Sequence, residues 1–327
     1  MKTVFVSPAA SPGKGYSSQY FVHLKQELSS CYKIMDSENR GARSQSLALL
    51  GGALSADIAM LSFVETIAFH RFPVIQSGIA LLALDIMHLR GCKVVFFFHN
   101  PKPHKGESRL SRRLTEKLFK VCSLVVCHSE NTAEIAREKV PGKKVILAHH
   151  PVENLTLHKH SGRPCRDVLI WGDIYPYKGV AEFLEEPSVA ISGLRIDIIG
   201  RCKDAALEER IRKCCNDRIS YRNERPSMEE VPALVGESSF VLFPYLEGSI
   251  SGSGVLMDTI AAGGTAVGPD TGAFHDLSLD GLCLTYKNID ELISILTSTR
   301  KINPSEIESF ILANSWKAFV GKIVPEL

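Results

Sequence analysis

Small polar residues fill a short stretch just before a helix-like run of apolar residues. Ser251, Gly252, Ser253, Gly254 and Val255 occupy these positions. If the helix starts at Gly254, its first backbone N–H groups have no partner within the helix and can hold an anion. Small side chains also let a phosphate group approach the backbone closely. This stretch is therefore a candidate phosphate-binding loop.

Asp258 lies one turn into the same helix, on the side that carries Gly254. A carboxylate at this position can accept hydrogen bonds from ribose hydroxyl groups. The competing interpretation is a Gly/Ser loop capped by Ser253, with Asp258 interacting only with the helix dipole. No G-x-G-x-x-G pattern follows the first strand-like run, so the sequence does not favour a dinucleotide, and we expect no cofactor.

A second polar loop carries a lysine. An apolar run ends at Gly172, and Lys178 and Gly179 stand where the next helix begins. A lysine ammonium is a compact charge suited to a diphosphate, although a single lysine is most often only solvated. Two anion-binding loops at strand ends of one predicted domain favour the diphosphate.

The first half of the chain carries candidates of a different kind. His99 and Asn100 follow a buried strand-like run, where a neutral imidazole can bind a sugar hydroxyl or exchange a proton with an acceptor. Equally, His99 can simply hold the Pro-rich loop that follows. Gly13 and Gly15 lie between the first strand and a helix, and they either face the same ligand or form an ordinary turn.

These loops depend on an alternation of short β-rich runs with helical patterns. We predict strands at 3–7, 32–35, 57–63, 93–98, 124–127 and 144–148, then at 168–172, 195–199, 219–222, 240–243, 265–267 and 283–286. We predict helices at 16–30, 42–53, 74–90, 109–121 and 132–139, then at 179–186, 205–215, 228–236, 254–262 and 289–297. This alternation is typical of parallel, doubly wound α/β sheets.

The two series of elements predict two Rossmann-like domains. A stretch at 151–166 with few apolar residues reads as the linker between them. The predicted domains are 1–160, completed by a C-terminal helix at 303–327, and 161–302. Ligands of such sheets bind outside the carboxyl ends of the strands, so we expect the ligand in the cleft between the domains.

Composition excludes several classes of protein. The chain has 327 residues, of which 45% are hydrophobic and 23% charged, with a net charge of +2. These values describe an ordinary globular chain and do not favour nucleic acid as a partner. Nine cysteines without a C-x-x-C pair argue against a disulfide framework or a zinc site and suit the cytoplasm, and no signal peptide or membrane span is predicted.

The predicted helix at 109–120 is basic and amphipathic. Such a helix can lie on an anionic membrane surface, which would place the protein peripherally at the inner face of the membrane. More often it is only a solvated helix face.

Together these motifs resemble the GT-B glycosyltransferases, specifically their retaining family 4-like group, over nearly the whole chain. The matching segments are His99-Asn100-Pro101, 125–129, 148–152, Lys178-Gly179, 251–255 with Asp258, 262–267, 270–274 and Ser315-Trp316. Three positions depart from the family pattern: Asp173 stands where an arginine is usual, Ile250 stands where a glutamate is usual, and the shorter Asp258 replaces a second glutamate. Arg201, Arg222 or Arg225 are the candidates to supply the missing positive charge.

The resemblance implies transfer of a hexose from a nucleotide diphosphate sugar, with retention, to a glycan or lipid-linked acceptor in surface polysaccharide synthesis. It implies catalytic roles for His99, Lys178 and Asp258 and donor contacts from 251–255. No Asp-x-Asp motif is present, so we expect no metal ion. The alternatives are a nucleotide-sugar epimerase of the same fold and a non-catalytic nucleotide-sugar-binding protein.

Overall fold

The computed structural model of this chain describes residues 1–8, 19–35, 45–99, 107–152, 164–246 and 253–327. The chain forms two compact units. The first comprises Met1–His149 together with Trp316–Leu327, and the second comprises His150–Ser315. The sequence interpretation put the corresponding boundaries at 160/161 and 302/303.

The first unit is built on a parallel sheet of six strands among its described residues. They are β1 (Thr3–Ser7), β2 (Lys33–Met35), β3 (Ile58–Leu61), β4 (Lys93–Phe98), β5 (Leu124–Cys127) and β6 (Lys144–Leu147), in the order β2-β1-β3-β4-β5-β6. The central strands are apolar on both faces and fully buried, as β3 and β5 show, because helices cover both faces of the sheet.

Five helices of the first unit lie between these strands in the sequence. They are α1 (Gln19–Leu28), α2 (Gln45–Ser55), α3 (Pro73–Leu89), α4 (Arg109–Val121) and α5 (Glu130–Lys139). α4 begins at a capping box in which Ser108 and Ser111 bond each other's backbone, which fixes the predicted start of that helix. None of the described helices combines the length and the apolar character that crossing a bilayer requires.

The end of the chain returns to the first unit. α14 (Trp316–Ile323) packs on α1, where the rings of Trp316 and Tyr20 lie 5.0 Å apart. The carbonyl oxygen of Leu327 accepts hydrogen bonds from the ammonium groups of Lys2 and Lys93. Burial of Trp316 and Phe319 against the sheet therefore ties the last residues to the N-terminal part of the chain.

The second unit repeats the design. Its six described parallel strands are β7 (Arg166–Trp171), β8 (Ile196–Ile199), β9 (Ile219–Arg222), β10 (Ser238–Leu242), β11 (Ala266–Pro269) and β12 (Leu284–Tyr286). Their order is β12-β11-β10-β7-β8-β9. From β7 the chain adds β8 and β9 toward one edge of the sheet, and from β10 it adds β11 and β12 toward the other edge. The topological switch point therefore lies between β7 and β10.

The helices of the second unit are mostly short. They are α6 (Val180–Glu185), α7 (Pro187–Ser192), α8 (Ala205–Lys213), α9 (Val231–Gly236), α10 (Gly254–Ala261), α11 (Gly272–Leu279), α12 (Ile289–Leu296) and α13 (Pro304–Ala313). α10 is mostly buried, and the Trp171 indole N–H donates to Thr259 Oγ1 at 2.9 Å, which fixes α10 against β7.

All twelve predicted strands are confirmed, most of them within two residues of their predicted ends. The sequence interpretation missed α7 and α11, having treated 270–274 as a loop, and it missed a 3-10 helix at Val64–Phe69. α11 has only eight residues and starts at Gly272 with φ of 53°, so its local pattern is that of a turn. Packing of Phe274 and Leu277 in the core stabilises it as a helix.

Candidate functional site

The loops after β7 and β10 meet at the switch point of the second sheet. Glycines make their close approach possible: a Cβ atom on Gly179 would lie 2.1 Å from the Pro244 carbonyl oxygen. A Cβ atom on Gly200, after β8, would lie 2.1 Å from the Gly172 carbonyl oxygen. Three strand ends therefore bring their backbones together, and no larger residue fits at either contact.

Lys178 ends a 3-10 helix in the loop after β7 and is buried, with 8% of its surface exposed. Its ammonium lies 5.5 Å from the ring centroid of Tyr245. No carboxylate or carbonyl oxygen of the described residues accepts a hydrogen bond from it. Burial lowers the pKa of Lys178, and the nearby Tyr177 and Asp173 oppose that shift. A buried ammonium without an acceptor favours an anionic ligand.

The N-terminus of α10 lies beside this lysine. A Cβ atom added to Gly172 would lie 3.0 Å from Val255 Cγ2 and 3.8 Å from Lys178 Nζ. The first turn of α10 and the lysine ammonium are therefore both next to Gly172. Ser253 caps the helix by accepting from the Leu256 N–H at 3.3 Å. The N–H groups of Gly254 and Val255 have no acceptor in the described part of the chain, so the first turn has two open donors.

Asp258 follows one turn later and is partly exposed. Its backbone carbonyl accepts from Ala262 N within the helix, and its position leaves the carboxylate on the side of Gly254. Ser251 and Gly252, which the sequence interpretation placed in the same loop, lie outside the described residues. The structure thus describes the helix half of the candidate phosphate-binding loop, from Ser253 onward.

Two arginines meet at Asp173, which the sequence interpretation singled out as a departure from the expected pattern. Arg225 Nε donates to Asp173 Oδ1 at 3.1 Å, and its Nη2 also bonds the carboxylate. Arg201 Nη2 lies 3.5 Å from Asp173 Oδ2. Its Nε is buried and has no hydrogen-bond partner among the described residues. The strand ends of β8 and β9 therefore supply two cations to the end of β7.

Arg222 is not part of this cluster. Its guanidinium pairs with Glu224 at 2.8 Å and is half-exposed. Of the three arginines predicted to replace the missing charge, the structure brings Arg201 and Arg225 together at Asp173.

His150 is a residue of this region that the sequence interpretation did not select. Its Nδ1 lies 3.0 Å from the Pro151 carbonyl oxygen, and since a carbonyl only accepts, Nδ1 carries the proton. The other nitrogen, Nε2, then has a lone pair, and it lies 3.9 Å from a Cβ position on Gly254. Burial lowers the pKa of His150 to about 4, which keeps the ring neutral at pH 7. In sequence, the only signal was a histidine pair at the end of β6.

His99 lies in the first unit, directly after β4. Its Nε2 is 3.2 Å from Ser62 Oγ, and its ring stacks on Phe63 at 4.7 Å. Phe63 adopts a left-handed backbone with φ of 54°, a conformation that bulky residues rarely adopt. Tyr20 packs edge-on at 5.4 Å, so the imidazole is held firmly at the carboxyl edge of the sheet. Asn100, Gly13 and Gly15 lie outside the described residues.

The basic helix α4 buries its apolar side. Leu114, Leu118 and Phe119 belong to the core of the first unit, while Arg113 and Lys120 are exposed. A membrane surface can therefore meet α4 only through its charges. Within the described ranges, no three His, Cys, Asp or Glu side chains are grouped so as to hold a metal ion.

No protein-family model and no curated protein matches this sequence. Solved structures match it by fold. Anabaena HepE in complex with UDP aligns over 100% of both chains, with a TM-score of 0.67 and 12% identity. AviGT4, a glycosyltransferase involved in avilamycin A biosynthesis, aligns over 100% of this chain and 96% of its own, with a TM-score of 0.61 and 12% identity. A UDP-forming α,α-trehalose-phosphate synthase from Burkholderia vietnamiensis aligns over 99% and 96%, with a TM-score of 0.67 and 10% identity.

The chain has the GT-B fold. This confirms the predicted fold class, two Rossmann-like α/β domains with a C-terminal helix that returns to the first. In a GT-B chain, the features at the β7/β10 switch point form one candidate anion site within the second unit: Lys178, the open amides of α10, and the arginines at Asp173. His99 is a candidate residue of the first unit.

Proposed function

We propose that this protein is a retaining, metal-independent glycosyltransferase. It transfers a hexose from a nucleotide diphosphate sugar to a glycan or lipid-linked acceptor in surface polysaccharide synthesis. The observation that carries this proposal is the buried ammonium of Lys178, which has no acceptor in the described residues and lies beside the open amides of α10. Both features are suited to an anion, and both lie at the switch point of the sheet.

The donor's diphosphate neutralises Lys178 and accepts from the N–H groups of Gly254 and Val255. Asp258, one turn along α10, accepts hydrogen bonds from the ribose hydroxyls. Each group therefore has a partner on the donor that matches its hydrogen-bonding character.

Transfer breaks the bond between the anomeric carbon and the diphosphate oxygen, and both electrons of that bond stay on the leaving oxygen. The acceptor hydroxyl forms the new bond on the same face, and its proton passes to the leaving diphosphate. The negative charge that develops on the diphosphate is met by donors that are already in place: Lys178, the α10 amides, and Arg201. A preorganised donor of this kind contributes about 3–4 kcal/mol to transition-state stabilisation.

Asp173 does not leave the site short of positive charge. Its carboxylate is shared by Arg201 and Arg225, so the three side chains together carry a net positive charge. The pair of arginines supports transfer chemistry in place of the usual single arginine. On the acceptor side, we assign His99 a contact with the acceptor hydroxyl, because its ring is fixed between Ser62 and Phe63.

A thermal-shift panel of UDP-, GDP- and ADP-sugars tests the proposal. A donor at 100 times its dissociation constant stabilises the folded protein by about 2.7 kcal/mol. The donor that binds is then incubated with the enzyme, with and without membrane or glycan extracts. Product that forms only with the extract supports transfer, and the anomeric configuration of the product tests retention. Conversion of the donor without acceptor would indicate an epimerase, and binding without turnover would indicate a binding protein.

A further inference from the structure

The first unit exposes an unusually apolar pair of helices. α2 and α3 pack against each other, and Leu49, Ala53, Ala80 and Ala83 of this pair are fully buried. Large apolar side chains on the outside are between 47% and 83% exposed: Leu47, Leu54, Phe72, Ile75, Leu82 and Leu89. Several large exposed apolar side chains on one pair of packed helices mark an interaction site more often than isolated exposed residues do.

The exposed residues follow helical spacing. Ile75, Leu82 and Leu89 are separated by seven residues each, so they form one stripe along α3 that is about 21 Å long. Leu47 and Leu54 have the same separation on α2. We call these five residues with Phe72 the α2–α3 face.

Phe72 stands at the end of this face, just before α3. Its backbone is left-handed, with φ of 57°, and its ring is 58% exposed. The Arg71 guanidinium lies 4.9 Å from the ring centroid. The left-handed backbone of this bulky residue is strained, and its ring stays exposed beside a cation.

The described side chains at the two ends of α3 include arginines. α2 contains no charged residue, and the single carboxylate of α3, Asp85, pairs with Lys117 of α4. His70 and Arg71 precede α3, and His88 and Arg90 lie at its other end. Arg71 and Arg90 therefore place one cation at each end of the apolar stripe.

The basic helix α4 continues this pattern. It packs beside α3 and exposes Arg109, Arg113 and Lys120. An apolar face next to a basic helix combines the two interactions that bind a protein to the surface of an anionic bilayer, which are burial of apolar side chains and attraction to headgroups.

We propose that the α2–α3 face binds an anionic lipid surface. Its apolar side chains enter the headgroup region, and the cations at its borders and on α4 pair with lipid phosphates. A second copy of this chain is a poorer occupant. Because both ends of the stripe are basic, either direction of helix pairing would place cations against cations. For a glycosyltransferase, binding to a lipid surface favours a lipid-linked acceptor. This statement about the acceptor rests on the proposed function, whereas lipid binding itself does not.

Flotation of the full chain with vesicles tests the proposal. We expect binding to vesicles of equal parts phosphatidylglycerol and phosphatidylcholine, and weak binding to pure phosphatidylcholine. The double variant Ile75→Glu with Leu82→Glu should reduce the partition coefficient at least tenfold. Because both side chains are exposed, its thermal midpoint should stay close to that of the wild type.

The matched control is Ile191→Glu with Leu312→Glu, two residues of the second unit that are 85% and 76% exposed. This variant should bind the vesicles within twofold of the wild type. Arg71→Gln with Arg113→Gln should remove the preference for phosphatidylglycerol.

Three results would overturn the proposal. They are no binding of the wild type to anionic vesicles, equal binding of the Ile75/Leu82 variant, and light scattering that shows a dimer broken by that variant in place of vesicle binding. Vesicle binding needs no donor sugar, so its failure would leave sugar transfer unaffected, and a failure of donor binding would not alter vesicle binding.

Discussion

Replacing Lys178 with methionine keeps the volume of the side chain and removes its charge. In the folded protein, this ammonium is buried, and burial lowers its pKa. A base whose pKa is lower in the folded state than in the unfolded chain destabilises the fold at every pH below the lowered pKa, and that cost vanishes as pH rises past the ordinary value of 10.5. At neutral pH, Lys178 therefore costs stability in the protein without ligand.

The variant should thus change stability and binding in opposite directions. Without ligand, Lys178→Met should have a thermal midpoint equal to or above that of the wild type. Its affinity for the nucleotide diphosphate should fall, because a hydrogen bond to a charged group contributes about 1.5–3 kcal/mol, or roughly 10- to 150-fold in affinity. Turnover should fall at least tenfold and, if the lysine acts mainly in the transition state, by about 10²- to 10³-fold.

Calorimetric unfolding and nucleotide titration, both at pH 7, measure the two effects. The control is Lys203→Met, which removes an exposed lysine of the same unit and should change neither quantity. A Lys178→Met protein that binds the nucleotide as tightly as the wild type would refute the assignment of the anion site. A clear loss of stability without ligand would show instead that the lysine has a structural partner.

Five further substitutions test the site and its surroundings. Arg201→Ala should weaken nucleotide diphosphate binding about tenfold or more. Arg222→Ala should change this binding less than about twofold, because the Arg222 guanidinium pairs with a neighbouring glutamate. Equal effects of the two variants in calorimetric titration would contradict the assignment. The pKa of His150 is lowered from 6.5 to about 4, so its contribution to stability is present above pH 6.5 and is lost as pH falls toward 4. His150→Gln should therefore reduce the acid-dependent loss of stability by up to about 3 kcal/mol in denaturant titrations at a series of pH values, and an unchanged pH profile would count against a buried neutral imidazole. Gly200→Ala should destabilise the protein by roughly 1–3 kcal/mol, because the added Cβ atom would lie 2.1 Å from a backbone carbonyl oxygen. Gly78→Ala should stabilise the protein by about 0.5–1 kcal/mol, because Gly78 lies in a helix and its added Cβ atom would have no neighbour within 4 Å. Chemical denaturation that gives both changes in stability the same sign would refute this comparison.

Local patterns predicted the elements of this chain well. β4 and β5 contain continuous apolar runs, which are typical of a parallel strand that is covered on both faces. α4 and α10 begin where a serine can cap the first turn, and both starts are found at the predicted residues. Signals of this kind act over a few residues, and the sequence contains them in full.

The candidate site could be predicted only in part. The loops at Lys178 and Gly254 were recognisable because each combines an anion-binding group with a strand end. His150 was not, because its relevance depends on contact with a helix that starts more than a hundred positions later in the sequence. Whether Arg201 or Arg222 supplies positive charge to the site likewise depends on which guanidinium reaches Asp173 in the folded chain.

By itself, the sequence determined the alternation of strands and helices, and hence two doubly wound sheets. It also determined the residue types that can hold a diphosphate. Only the tertiary structure decided the strand order that brings β7 beside β10, the arginines that share Asp173, and the exposure of the α2–α3 face. The physical reason is range: hydrogen bonding and periodicity act between neighbours in the chain, whereas burial and charge pairing depend on distances that only the packed fold sets.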